Sequence, residues 1–167
     1  MAFRTALADI RTMKELFTAA EREAAALGDE QPGAEHLFLA ALTLDDQSAR
    51  SALATLEVTA DQVRAGIARV HATALGSVGI DGAADGLSGN SGSPRSLTGV
   101  YRSTGSAQDL FQRARRLAAA DKPATLRAAY IVMAAAEVEH GTVARLFDLL
   151  GIDRERLAGA ARAAVAA

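Results

Sequence analysis

Leu16-Phe17-Thr18-Ala19-Ala20-Glu21-Arg22-Glu23-Ala24-Ala25-Ala26 returns 94 positions later as Leu110-Phe111-Gln112-Arg113-Ala114-Arg115-Arg116-Leu117-Ala118-Ala119-Ala120. The same shift carries residues 9–67 onto 103–161 without a gap. Ala34, Ala40-Ala41 and Leu56 meet Ala128, Ala134-Ala135 and Leu150, and Val58 and Val63 meet Ile152 and Leu157. Alanine matches itself often by chance, so the ordered run of apolar, turn and cap positions carries the argument. A repeat of this kind predicts two similar units packed together.

The spacing within each copy predicts helices. Ile10, Met13, Leu16-Phe17, Ala20, Ala24 and Leu27 recur at three- and four-residue steps, one apolar stripe on a helix. Asp9 is a plausible cap for it, and Gly28-Asp29 a stop. Pro32 stands just before the next helix, where its missing N–H does little harm. Residues 34–44 are nearly all apolar, which places that helix in the interior. Asp45-Asp46 is a turn and cap signal before a third helix, and Thr59 caps a fourth.

The second copy repeats the order. Ser106-Ala107-Gln108-Asp109 has the form of a capping box with Asp in place of Glu. Leu126 to Val138 forms the buried helix, His140-Gly141-Thr142 starts the third, and Gly151-Ile152-Asp153 turns into the fourth. The fold class is therefore all-α, a duplicated four-helix repeat of about eight helices with pseudo-twofold symmetry. Residues 1–72 and 106–167 are the two repeats of one compact domain. Residues 73–105 hold eight of the fourteen glycines and are expected to be a Gly/Ser-rich linker, or a docking loop using Leu97, Val100 and Tyr101.

Composition excludes several classes. With no cysteine there is no disulfide or thiol chemistry. A net charge of -2 gives no basic footprint for nucleic acid. No apolar run reaches the roughly 18 residues that span a bilayer, and Met1 to Leu7 lacks the apolar stretch of a signal peptide. A cytoplasmic protein without membrane, nucleic-acid or cofactor partners is expected.

Gly28-Asp29-Glu30-Gln31-Pro32-Gly33-Ala34-Glu35-His36-Leu37-Phe38-Leu39-Ala40-Ala41-Leu42 resembles the Gly-x4-Gly-Thr-Glu-His-Leu-Leu-Leu-x-Leu segment of the Clp unfoldase N-terminal repeat domain. The likeness runs on through Ala49, Ala52-Leu53, Leu56 and Val58, and covers both repeats. It implies the substrate-receiving domain of ClpC- and ClpA-type chaperones. Its implied partners are Clp substrates, adaptors or protease components, and in some members cyclic peptide antibiotics. The sequence has no Gly-x4-Gly-Lys-Ser/Thr phosphate loop, so a receptor without a motor is expected.

The resemblance also implies recognition of phosphorylated arginine, through the Glu of the Thr-Glu-His motif and the start of each repeat's first helix. Glu35 matches in the first repeat, with Ala34 replacing Thr and Asp9-Ile10 at the helix start. In the second repeat Ser103-Thr104 suits a phosphate, but Ala129 and Tyr130 occupy the Glu-His positions. Glu35 and Thr104 are the candidate ligand-binding residues. Glu35 alternatively only charges the start of its helix.

No nucleophile–base pair stands out. An enzyme using His36 with Glu35 remains an alternative of a different class, as does a module that only pairs with another protein. Glu137, Glu139 and His140 read as a solvated helix end rather than a metal site. His71 has no evident partner. Arg113, Arg115, Arg116 and Arg127 read as a solvated face or a docking patch for acidic segments.

Overall fold

The structure, a computed structural model, describes residues 2–77, 103–121 and 125–167, with side chains from residue 7 onward. These residues form eight helices and, among the described residues, no strand. The first repeat holds α1 (Ala2–Leu27), α2 (Ala34–Ala41), α3 (Ser48–Ala54) and α4 (Ala60–Ser77). The second holds α5 (Gly105–Ala120), α6 (Ala128–Ala136), α7 (Thr142–Leu150) and α8 (Arg154–Ala166). Ala34, Ser48 and Ala60 begin α2, α3 and α4; moved by 94 positions they land on Ala128, Thr142 and Arg154, which begin α6, α7 and α8.

The two apolar helices are the centre of the fold. Every residue of α6 is buried, and in α2 all but Glu35. The α1 stripe of Leu16, Phe17, Ala20 and Ala24 closes over α2, and the α5 stripe of Leu110, Phe111, Ala114 and Ala118 closes over α6. The repeats interlock, because α3 packs on α8 and α4 on α7. Phe17 and Phe111, equivalent by the repeat, meet edge-to-face with centroids 5.1 Å apart. With few aromatics, the core relies on close approach of small residues. At Gly66 in α4 an added Cβ would come within 2.6 Å of Leu146 Cδ1 in α7.

Several local expectations need correcting. Helix α1 begins at Ala2, so Asp9 lies inside it; its Oδ1 accepts the Leu126 N–H at 2.8 Å, serving the approach to α6 instead of its own helix. Ile10 was expected in the buried stripe but is exposed, as is Leu7; Ile10 lies at the rim of the groove between α1 and α5. The cap of α5 is Thr104, whose hydroxyl accepts from the Ala107 N–H, and Ser106 lies inside the helix. Helix α4 runs through residues 73–77, expected in the linker. Residues 78–102, with Leu97, Val100 and Tyr101, lie outside the described residues. Other signals match: Thr59 and Gln62 form a capping box, and Asp153 caps α8 through the Arg156 N–H.

Candidate functional site

The turn before α2 is set by its sequence. Gly28 takes φ +86°, a left-handed conformation that ends α1, and the Asp29 N–H reaches back to the Ala24 carbonyl at 2.9 Å. The chain then turns through Pro32 into Gly33, the N-cap of α2. The Gly33 N–H donates to His36 Nδ1 at 3.0 Å. That bond fixes the imidazole as the neutral tautomer with its proton on Nε2, because a protonated Nδ1 would oppose the Gly33 N–H. His36 Nε2 lies 3.1 Å from Asp29 Oδ2, near but not aligned as a hydrogen bond. His36 is only 1 % exposed. Burial lowers its pKa from the ordinary 6.5, while nearby Glu35 and Asp29 oppose that shift.

Glu35 folds back over the same turn. Its carboxylate fills the space beside Gly33, where an added Cβ would meet Glu35 Oε2 at 2.7 Å. Glu35 Oε1 lies 3.7 Å from His36 Nδ1 and 3.4 Å from His71 Nε2 on α4. His71 Nδ1 in turn lies 3.2 Å from Asp29 Oδ2. His71, without an evident partner in the sequence, thus joins two carboxylates and a second imidazole. A readable signal existed: His71 follows the buried Ile67 by four residues, on the same face of α4.

The second repeat closes this site from the other side. Thr104 donates its N–H to the Pro32 carbonyl at 3.1 Å, and Ser106 Oγ accepts the Ala34 N–H at 3.3 Å. The start of α5 is thereby joined to the start of α2. Glu35 and Thr104 line one cleft of about 720 Å3, with Asp109 and Arg113 of α5 and Glu137, Glu139, His140 and Thr142 opposite. Sequence reasoning kept these candidates in separate repeats; the fold brings them together across the repeats. The lining is acidic, since Asp29, Glu35, Asp109, Glu137 and Glu139 outnumber Arg113, which already pairs with Glu137 at 3.2 Å.

Residues 11–85 match the family model of the Clp repeat (R) N-terminal domain. The chain carries a Clp N-terminal repeat domain. No curated protein matches the sequence. The matched residues contain Glu35, His36 and His71, and the fold extends the same plan to the second repeat. Clp N-terminal domains are protein-interaction domains.

The equivalent end of α6 in this Clp domain is built differently. Asp46 Oδ2 accepts the Ala128 N–H at 2.7 Å, and Ser48 Oγ accepts the Ala129 N–H at 2.9 Å. Asp9 takes the Leu126 N–H. Ala129, in the position of Glu35, is fully buried. Tyr130, in the position of His36, donates its hydroxyl to Asp121 Oδ2 at 2.8 Å; burial, then that bond, pushes its pKa up to about 12. A neighbouring cleft of about 550 Å3, between α1 and residues 43–45, is lined by Arg11, Lys14, Glu15, Arg22 and Asp45 but by no residue of α6.

The remaining candidates separate. The arginines form no single patch: Arg113 lines the acidic cleft, Arg115 lies in the groove between α1 and α5, and Arg127 donates to the Val165 carbonyl. Among the described residues no group of three or more His, Asp or Glu side chains is arranged to hold a metal ion. The His36 tautomer gives a reason at this turn: a ligating imidazole normally donates its other N–H, and here the other nitrogen accepts. Among the described residues no helix is long and apolar enough to cross a membrane.

Proposed function

We propose that this Clp N-terminal domain is a non-enzymatic receptor for protein segments, and that the cleft between α2, α5 and α7 takes an arginine side chain, in its phosphorylated form on marked proteins. The observation that carries this reading is that Glu35 and Thr104, one from each repeat, line the same cleft. A carboxylate such as Glu35 pairs with a guanidinium through charge-assisted bonds. The hydroxyls of Thr104 and Ser106, 2.9 Å apart at the start of α5, suit the phosphoryl group, where the helix dipole favours negative charge. The surrounding carboxylates oppose the phosphoryl charge, which must therefore sit at the hydroxyls of α5, and they favour basic residues flanking the marked arginine. His36 has no role as a catalytic base in this reading, because Nδ1 holds the Gly33 N–H and Nε2 faces Asp29.

In a cytoplasmic setting such a receptor would recruit, sequester or compete for the substrates and adaptors of Clp chaperones. Calorimetric titration with an arginine-phosphorylated peptide, its unmodified control and a Clp-targeting cyclic peptide tests this. The reading expects the phosphopeptide to bind and Glu35→Ala to remove that binding. Binding of the cyclic peptide alone would indicate a decoy for antibiotics instead, and binding of none of them would overturn the receptor reading.

A further inference from the structure

Glu35 is engaged before any ligand arrives. Its carboxylate is turned inward, its side chain is only 13 % exposed, and its near neighbours are His71 and His36. We propose that His71 is a positioning residue for Glu35: protonated, it bridges Glu35 to Asp29 and withholds the carboxylate from the cleft; neutral, it lets Glu35 swing out to meet a guanidinium. This deepens the receptor reading and rests on Glu35 being the guanidinium partner.

The geometry supplies the mechanism. An imidazolium donates from both nitrogens, and His71 faces a carboxylate with each of them, Asp29 at 3.2 Å and Glu35 at 3.4 Å. A neutral imidazole donates from one nitrogen only, so one carboxylate must then face a lone pair. None of these contacts is aligned as a hydrogen bond at Asp29 Oδ2, so the attraction is ionic; Asp29 stands nearer to the imidazoles, 3.2 Å from His71 and 3.1 Å from His36, so Glu35 is the arm that lets go. His36 stays out of the switch, because its Nδ1 accepts the Gly33 N–H and its burial favours the neutral form.

Other charged groups stand on α4 and on the helices near it; Arg69 of α4 lines a separate groove with Arg145 and Asp148 of α7. On α1 and α4, Glu23 pairs with Arg64 at 2.9 Å, and Arg64 also holds Asp61. Across the cleft stand Asp109, the Arg113–Glu137 pair, Glu139 and His140. His71 is the member of this group that faces a carboxylate with each ring nitrogen.

Two readouts test the latch. The first uses no ligand: the side-chain carboxyl 13C signal of Glu35 is followed from about pH 8 to about pH 6, a range centred near histidine titration and above that of carboxylates. The latch predicts a transition in the native protein that is missing in His71→Gln. The second is the affinity for the arginine peptides over the same range. Binding should weaken about tenfold toward the acid end in the native protein and stay level in His71→Gln. Gly33→Ala gives an independent check. Its φ of -93° suits any residue, and the new Cβ would displace the Glu35 carboxylate, so this variant should also bind alike at both ends. A Glu35 signal that stays flat in the native protein, or one that moves equally in His71→Gln, overturns the latch. If the peptides bind at neither pH, the receptor reading falls, and the carboxyl titration still decides the latch by itself.

Discussion

The starts of α2 and α6 occupy equivalent places in the two repeats, yet one opens into an acidic cleft and the other is sealed. At α6 the first repeat reaches across with Asp46 and Ser48 and takes two backbone N–H groups. At α2 the equivalent positions, His140 and Thr142, line the cleft. There Ser106 crosses to take the Ala34 N–H, and the Thr104 N–H donates to the Pro32 carbonyl. The backbone plan is shared, so a handful of side chains decides which end is open. Each repeat supplies part of the other's helix start, which is why the pieces of the family's motif belong together across the repeats and not within them. Glu35 and Thr104 share the open end, while Asp9 and Ala129 belong to the sealed one.

The sharpest way to break this contrast is to write the motif of the first repeat into the second. Ala129→Glu places a carboxylate at a fully buried position beside Ser48 and Asp46. It should destabilise the domain by roughly 3–5 kcal/mol, lowering the melting temperature by about 10 °C or more in thermal unfolding. If the variant melts like the native protein and gains a second peptide site, the sealed end is not sealed.

A smaller loss follows from unsealing. Asp46→Ala combined with Ser48→Ala leaves the first N–H groups of α6 without their partners and should cost about 2 kcal/mol, read from denaturant unfolding, with peptide affinity unchanged. At the open end the effect reverses: Glu35→Ala should weaken phosphopeptide binding about tenfold or more, while the unfolding midpoint near neutral pH stays close to native.

The smallest effect separates His36 from Tyr130. Burial lowers the His36 pKa in the folded state below its ordinary 6.5. Between the folded and unfolded values the unfolded chain binds more protons, so stability rises with pH there. The contribution is fully present above about 6.5 and is lost as pH falls below it toward the folded value. Denaturant midpoints across this range should show that slope, and His36→Gln should remove its share of it. Tyr130, with its pKa near 12, contributes nothing in that window.

The duplication, the buried helices and most helix ends were legible because they rest on local signals: Gly28 for a left-handed stop, Thr59 with Gln62, and Asp153 one residue before its helix. Asp9 and Ser106 misled for a physical reason. A carboxylate or hydroxyl beside a helix start is a cap by residue type, and type does not say whose N–H it takes; here each serves a helix of the other repeat. The candidate site was half legible. Glu35 and Thr104 stood out by motif, but their juxtaposition depends on Thr104 bonding to Pro32, a contact between residues far apart in the chain. His71 belongs to no motif, and only its spacing from Ile67 pointed inward.

The central claim is one shared cleft rather than one site per repeat. Calorimetric titration of the arginine-phosphorylated peptide, with Glu35→Ala and Thr104→Val alongside, tests it most directly. The account predicts one peptide per chain and a loss of affinity in both variants, with helical content retained by circular dichroism. Two peptides per chain, or binding that survives Thr104→Val while Glu35→Ala removes it, would contradict a cleft assembled from both repeats.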